Sequence, residues 1–147
     1  MNQRSYADNH SIVVISPQLV DNATVETPWL DMGDHPRGFA LAIVGATDIT
    51  VDVSIQQATD SSGSDAKALT GASVTQLTAA GGDDTYVSIE FESVFLDRAN
   101  GFQFASLLID VGDGTTGAYV AGILMAPARH APVTQLAAYA QQVVLAG

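Results

Sequence analysis

The chain has 147 residues, 47% of them hydrophobic and 14% charged, enough length and apolar content for one domain with its own core. Sixteen acids against five bases give a net charge of −11, and Arg4, Arg37, Lys67, Arg98 and Arg129 stand singly, which argues against the clustered cations that nucleic acid or an anionic membrane requires. With no cysteine, the sequence excludes disulfides, thiol catalysis and cysteine-ligated metal sites.

In chain order, residues 1–10 are polar and read as an N-terminal arm; they lack the apolar stretch of a signal peptide. Ser11–Ile15 is β-branched and reads as a first strand ended by Pro17. Val25–Leu30, around Trp29, reads as a strand that Pro28 demotes to an edge. Asp31–Gly38 has loop composition. Phe39–Val44 is continuously apolar, as expected of a central strand buried on both faces.

Thr50–Gln56 alternates polar and apolar residues without an error, the period of a strand with one wet and one dry face. Its polar face, Thr50, Asp52, Ser54 and Gln56, is suited to lie against another protein. Lys67–Thr70 and Val74–Leu77 read either as short strands or as irregular coil. Gly81–Asp84 is a turn signal. Thr85–Glu92 is a second alternating strand, with Val87, Ile89 and Phe91 inward. Phe102–Val111 and Ala118–Met125 read as a hairpin around a Gly-rich loop. Leu136–Leu145 reads as a short helix or an arm. About seven or eight strands with frequent turns predict an all-β chain, a β-sandwich of jelly-roll type. Residues 11–132 would form the sandwich, flanked by arms at 1–10 and 133–147.

Candidate sites each have a plainer alternative. Asp31, Asp34 and His35 share a loop, but their spacing matches no metal motif, and a solvated loop is expected. Asp110–Gly114 lacks the ligand spacing of a calcium loop. Glu90 and Glu92 lie side by side on one strand face, not across a cleft as glycoside hydrolysis needs, and are expected to face water or a neighbouring subunit. Trp29, Tyr6, Tyr86, Tyr119 and Tyr139 include candidates for stacking on sugars, though one Trp and four scattered Tyr in a sandwich are more often core or interface residues. No nucleophile elbow or phosphate loop occurs. The expectation is a non-enzyme without cofactor or metal, and with an interface drawn from the chain ends: Tyr6, Leu136, Tyr139, Val143, Val144 and Leu145.

The segments Ala42-Ile43-Val44 with Thr47, Val51–Asp60, Ala99-Asn100-Gly101-Phe102 and Met125–Pro132 resemble those of capsid cement or decoration proteins of tailed bacteriophages, jelly-roll virion proteins. The likeness runs from about Ser11 to Pro132 and rests on structural segments that carry no chemistry. It implies a homotrimer on the outer surface of a shell of major capsid protein, made in the host cytoplasm and stabilising the shell by many copies of a modest contact. A head–tail connector or tail component, and a carbohydrate-binding module, are the alternatives.

Overall fold

In a computed structural model, which describes residues 6–130 and 134–135, nine strands form two antiparallel sheets. They are β1 (His10–Val20), β2 (Ala23–Glu26), β3 (Leu30–Asp31), β4 (Arg37–Thr47), β5 (Val51–Ala58), β6 (Lys67–Ser73), β7 (Thr85–Glu92), β8 (Phe104–Val111) and β9 (Ala118–Pro127). One sheet runs β1-β9-β4-β7; the other runs β2-β8-β5-β6, with short β3 also on β8. Leave out β3, and the first strand pairs with the last, the second with the seventh, the third with the sixth and the fourth with the fifth. That is one long eight-stranded hairpin. Rolling it up adds β4–β9 and β5–β8 and closes two sheets face to face, which is the jelly roll.

Alternation builds the core between the sheets. Val51, Val53 and Ile55 of β5 are buried, as are Ala40, Ala42 and Val44 of β4. Leu107, Ile109 and Val111 of β8 meet Val13, Ile15 and Leu124 from the facing sheet. Each buried Val, Leu or Ile side chain contributes about 1.5–3 kcal/mol by leaving water. In β7, Ile89 and Phe91 point inward as expected, while Val87 is half-buried.

Several local expectations are corrected. Pro17 does not end β1. The ladder to β9 skips from Ile15 opposite Gly122 to Gln18 opposite Val120, so β1 carries one extra residue there. This bulge lies on an edge strand, where a missing N–H costs no ladder bond. The Val25–Leu30 strand is split. Buried Thr27 interrupts it: its hydroxyl accepts the Leu107 N–H at 3.1 Å and lies 3.2 Å from Ser106 Oγ. Lys67–Ser73 is a strand, whereas Val74–Leu77 is coil apart from one bridge to Val51. The strand expected to begin at Phe102 begins at Phe104, and it forms no hairpin with Ala118–Pro127: β8 pairs with β2 and β5 while β9 pairs with β1 and β4, because the loop between them carries the chain from one sheet to the other. Tyr6–Asn9 forms one helical turn (α1), and β1 already starts at His10.

Phe39–Val44 is central in its sheet but is not buried on both faces. Phe39 and Leu41 are only half-buried, and Ile43 is 46% exposed.

Candidate interaction surface

The outer face of the β1-β9-β4-β7 sheet departs from the wet-and-dry rule of a sandwich. Side chains opposite one another across a ladder share a face. Ile12 lies opposite Met125, and Val14 opposite Ile123. Leu41 lies opposite Ile123, and Ile43 opposite Ala121. Ile43 also lies opposite Tyr86, and Leu19 opposite Tyr119. Residues far apart in the chain thus make one apolar surface, with Leu19, Tyr86 and Tyr119 exposed. Its charges are confined to one end, where Arg37 stands opposite Glu92 and Glu90 opposite Phe39. Glu90 and Glu92 are exposed there, as expected.

The helical turn α1 frames that end. Tyr6 stacks on His10 with ring centroids 3.7 Å apart, and its hydroxyl reaches Met125 Sδ at 3.5 Å. Tyr6, His10, Phe39 and Met125 line an open hollow of about 310 Å³ together with Arg37 and Glu90. Round the free edge of β7, a second open groove of about 390 Å³ runs between β7 and β6, over Leu69, Ala72 and Phe91. A short 3-10 turn, Ser93–Phe95, projects beside it and carries Val94 and Phe95, 72% and 70% exposed.

The outer face of the other sheet is polar and acidic. Asp52 and Thr24 both stand opposite Asp110, while Ser106, opposite Gln56, is buried against Thr27. Gln76 donates to Asp52 at 2.7 Å.

Other candidates have structural work. Asp31 accepts the Gly33 N–H and the Gln103 amide at 2.8 and 2.7 Å. Asp34 lies 2.6 Å from His130 Nδ1, and this hydrogen bond holds its carboxyl below the ordinary value. His35 is buried, with Nδ1 3.0 Å from the Pro127 carbonyl, an acceptor, so Nδ1 carries the proton. The three residues are therefore held apart by separate partners, and no group of three metal-ligating side chains occurs among the described residues. Asp110 lies on the acidic sheet face, within β8 and outside the loop that follows it. Trp29 packs beneath the loop after β5: Gly63, at φ +67°, lies so close to the indole that any side chain there would overlap it. Of the expected interface residues, Tyr6 borders the apolar face; Leu136, Tyr139, Val143, Val144 and Leu145 lie outside the described residues. Gln135 sits at the β1 edge, donating to the Ala7 and His10 carbonyls at 2.8 and 2.6 Å and accepting from the Ile12 N–H at 3.2 Å.

The expectations missed the apolar sheet face. Its signal lay in β4 and β9, where both alternating sets of residues are apolar.

No family model matches the chain, and no curated protein matches it. Solved structures of β-rich structural proteins do. A chain from Bacillus endospore appendages, described as a novel family of disulfide-linked pili, matches with a TM-score of 0.43 and 10% identity, over 87% of this chain and 98% of that one. A chain of Broad Bean Stain Virus matches with a TM-score of 0.43 and 10% identity, over 99% of both.

Proposed function

We propose that the protein is a structural component of a virion. It binds the outer surface of a shell of major capsid protein as a homotrimer and stabilises the shell by added contacts. The observation that carries this reading is the apolar outer face of the β1-β9-β4-β7 sheet, set on a jelly-roll frame. Contiguous exposed apolar surface of this extent marks a site of contact with another protein. The sequence likeness to phage decoration proteins supports the choice of a virion. In this reading Leu136, Tyr139, Val143, Val144 and Leu145 contribute the contact with the shell, starting from the anchor at Gln135.

The test mixes purified protein with shells that lack it, followed by sedimentation and electron microscopy. Saturable binding at symmetry-related positions, with a raised temperature of shell disruption, is expected. Failure to bind the outer surface overturns the reading. Binding restricted to a few copies at one vertex makes the protein a neck or tail component instead.

A further inference from the structure

We infer that the free edge of β1 is a strand-acceptor site, and that its occupant is this chain's own segment after Gln135, added to the sheet beside Ile12–Ser16. This concerns the free protein and goes beyond the shell reading.

Three observations carry it. The first is the hydrogen bonding at the start of the edge. The Gln135 side-chain amide accepts the Ile12 N–H at 3.2 Å and donates to the His10 carbonyl at 2.6 Å. A primary amide offers the same donor and acceptor as a peptide group. Gln135 therefore stands where the first peptide of an added strand would stand. Backbone groups alternate sides along a strand, so Val14, two residues beyond Ile12, also turns its N–H and C=O away from β9. Among the described residues, nothing pairs with Val14 on that side.

The second is how the sheet edges are protected. The other edge strands, β7, β2 and β6, carry Glu90 and Glu92, Glu26, and Lys67. Charged side chains keep an edge from pairing with foreign chains. From Ser11 to Val20, β1 has no charged residue, and Val14 is exposed. Its far end is closed by Pro17, which has no N–H, and by Gln18, whose amide donates to the Ser16 carbonyl at 3.1 Å. Between Gln135 and Ser16 the edge is an apolar strand without a charge to guard it.

The third is reach and chemistry. Ile12 to Ser16 spans about 13 Å, which four or five extended residues cover. Gln135 already sits beside Ile12, and residues 136–147 follow it. They contain no Asp, Glu, Lys or Arg, so they enter a sheet edge without stranding a charge. Their tether at Gln135 gives them a high effective concentration at this edge against any free chain. A segment running from Gln135 toward Ser16 follows the direction of β1, so the added strand is parallel to it. Its outward side chains prolong by one strand the apolar face that Ile12 and Val14 make with Met125 and Ile123.

The test is amide hydrogen exchange, read by NMR on the free full-length protein at several concentrations. Val14 should exchange at least about 100-fold more slowly than an open-chain amide. In a chain stopped after Gln135, Val14 should lose that protection, while Val13 and Ile15, which face β9, keep theirs. The full-length double variant Ala137→Pro with Ala138→Pro, which removes two neighbouring N–H groups, should expose Val14 in the same way. It decides the matter if the stopped chain does not fold. Free exchange of Val14 in the wild type overturns the inference, as does protection that survives the proline variant. Protection that rises with concentration, with dimers in sedimentation, makes a second copy the occupant and also overturns it. No shell enters this measurement, so its failure leaves the shell reading standing, and failure to bind shells leaves the added strand standing.

Discussion

The two sheets obey the same rule on their inner faces and opposite rules on their outer ones. In β5, the residues between buried Val51, Val53 and Ile55 are Asp52 and Ser54; in β4, the residues between buried Ala40, Ala42 and Val44 are Leu41 and Ile43. Both arrangements build a sandwich, because stability comes from the inner faces. The outer faces are free to differ, and the difference separates a solvated wall from a surface suited to contact. The lesson is that an apolar strand need not be a doubly buried one.

The comparison can be broken most sharply at Val53, which is 2% exposed. Val53→Asp buries an unpaired carboxylate at a cost of several kcal/mol and should abolish the cooperative melting transition. A folded Val53→Asp protein would mean that the strand's faces are reversed.

Neighbouring residues of β9 give the next largest effect. Leu124→Ala, in the core, should cost about 2–5 kcal/mol, whereas Ile123→Ala, facing outward, should cost far less. Denaturant titration of both variants checks this; equal losses would show that the outer face is buried within a single copy.

Acid sensitivity should come from loops and not from either sheet face. The Asp48 carboxylate accepts the Gly117, Thr116 and Thr115 amides at 2.9, 2.7 and 3.1 Å, which ties the loop between β8 and β9 to the β4–β5 turn. These bonds, led by that from Gly117, hold its carboxyl below the ordinary 3.8. Asp60 is held lower still, chiefly by the hydroxyls of Ser62 and Ser64. Because the folded carboxyls are the stronger acids, their stabilisation is complete above about pH 4 and disappears as pH falls through the lowered values. Melting temperatures measured from pH 5 to pH 2 should therefore fall, and Asp48→Asn should fall less steeply. An unchanged slope would remove Asp48 from the account.

The smallest effect is expected on the acidic face. Asp110→Asn relieves the like charge opposite Asp52 and should raise stability by at most about 0.5 kcal/mol, with a gain that shrinks in salt. A loss would show that Asp110 holds a favourable partner.

How much of this was legible varied with the residues. The strands Val51–Ala58 and Thr85–Glu92 announced themselves because each alternates cleanly. In Phe39–Val44 the period was erased, since inward Ala42 and outward Ile43 are both apolar. Pro17 looked like a terminator because the sequence does not reveal that β1 lies at an edge, where a bulge absorbs a proline. Asp31, Asp34 and His35 lie close in sequence, yet Asp34 and His35 are bound to His130 and Pro127, partners more than ninety residues away. Tyr6 was expected at an interface because it is apolar and terminal, and the stack on His10 places it beside the sheet face.

The sequence by itself determined the class of fold, the inward set of each clean strand, the acidic charge and the exclusion of thiol chemistry. These depend on composition and on a two-residue period, which are local. Only the tertiary structure decided that Val14, Ile43, Tyr86 and Tyr119 form one surface. Strand adjacency in a rolled hairpin joins the first strand to the last, and no local pattern records which outward-facing residues will meet.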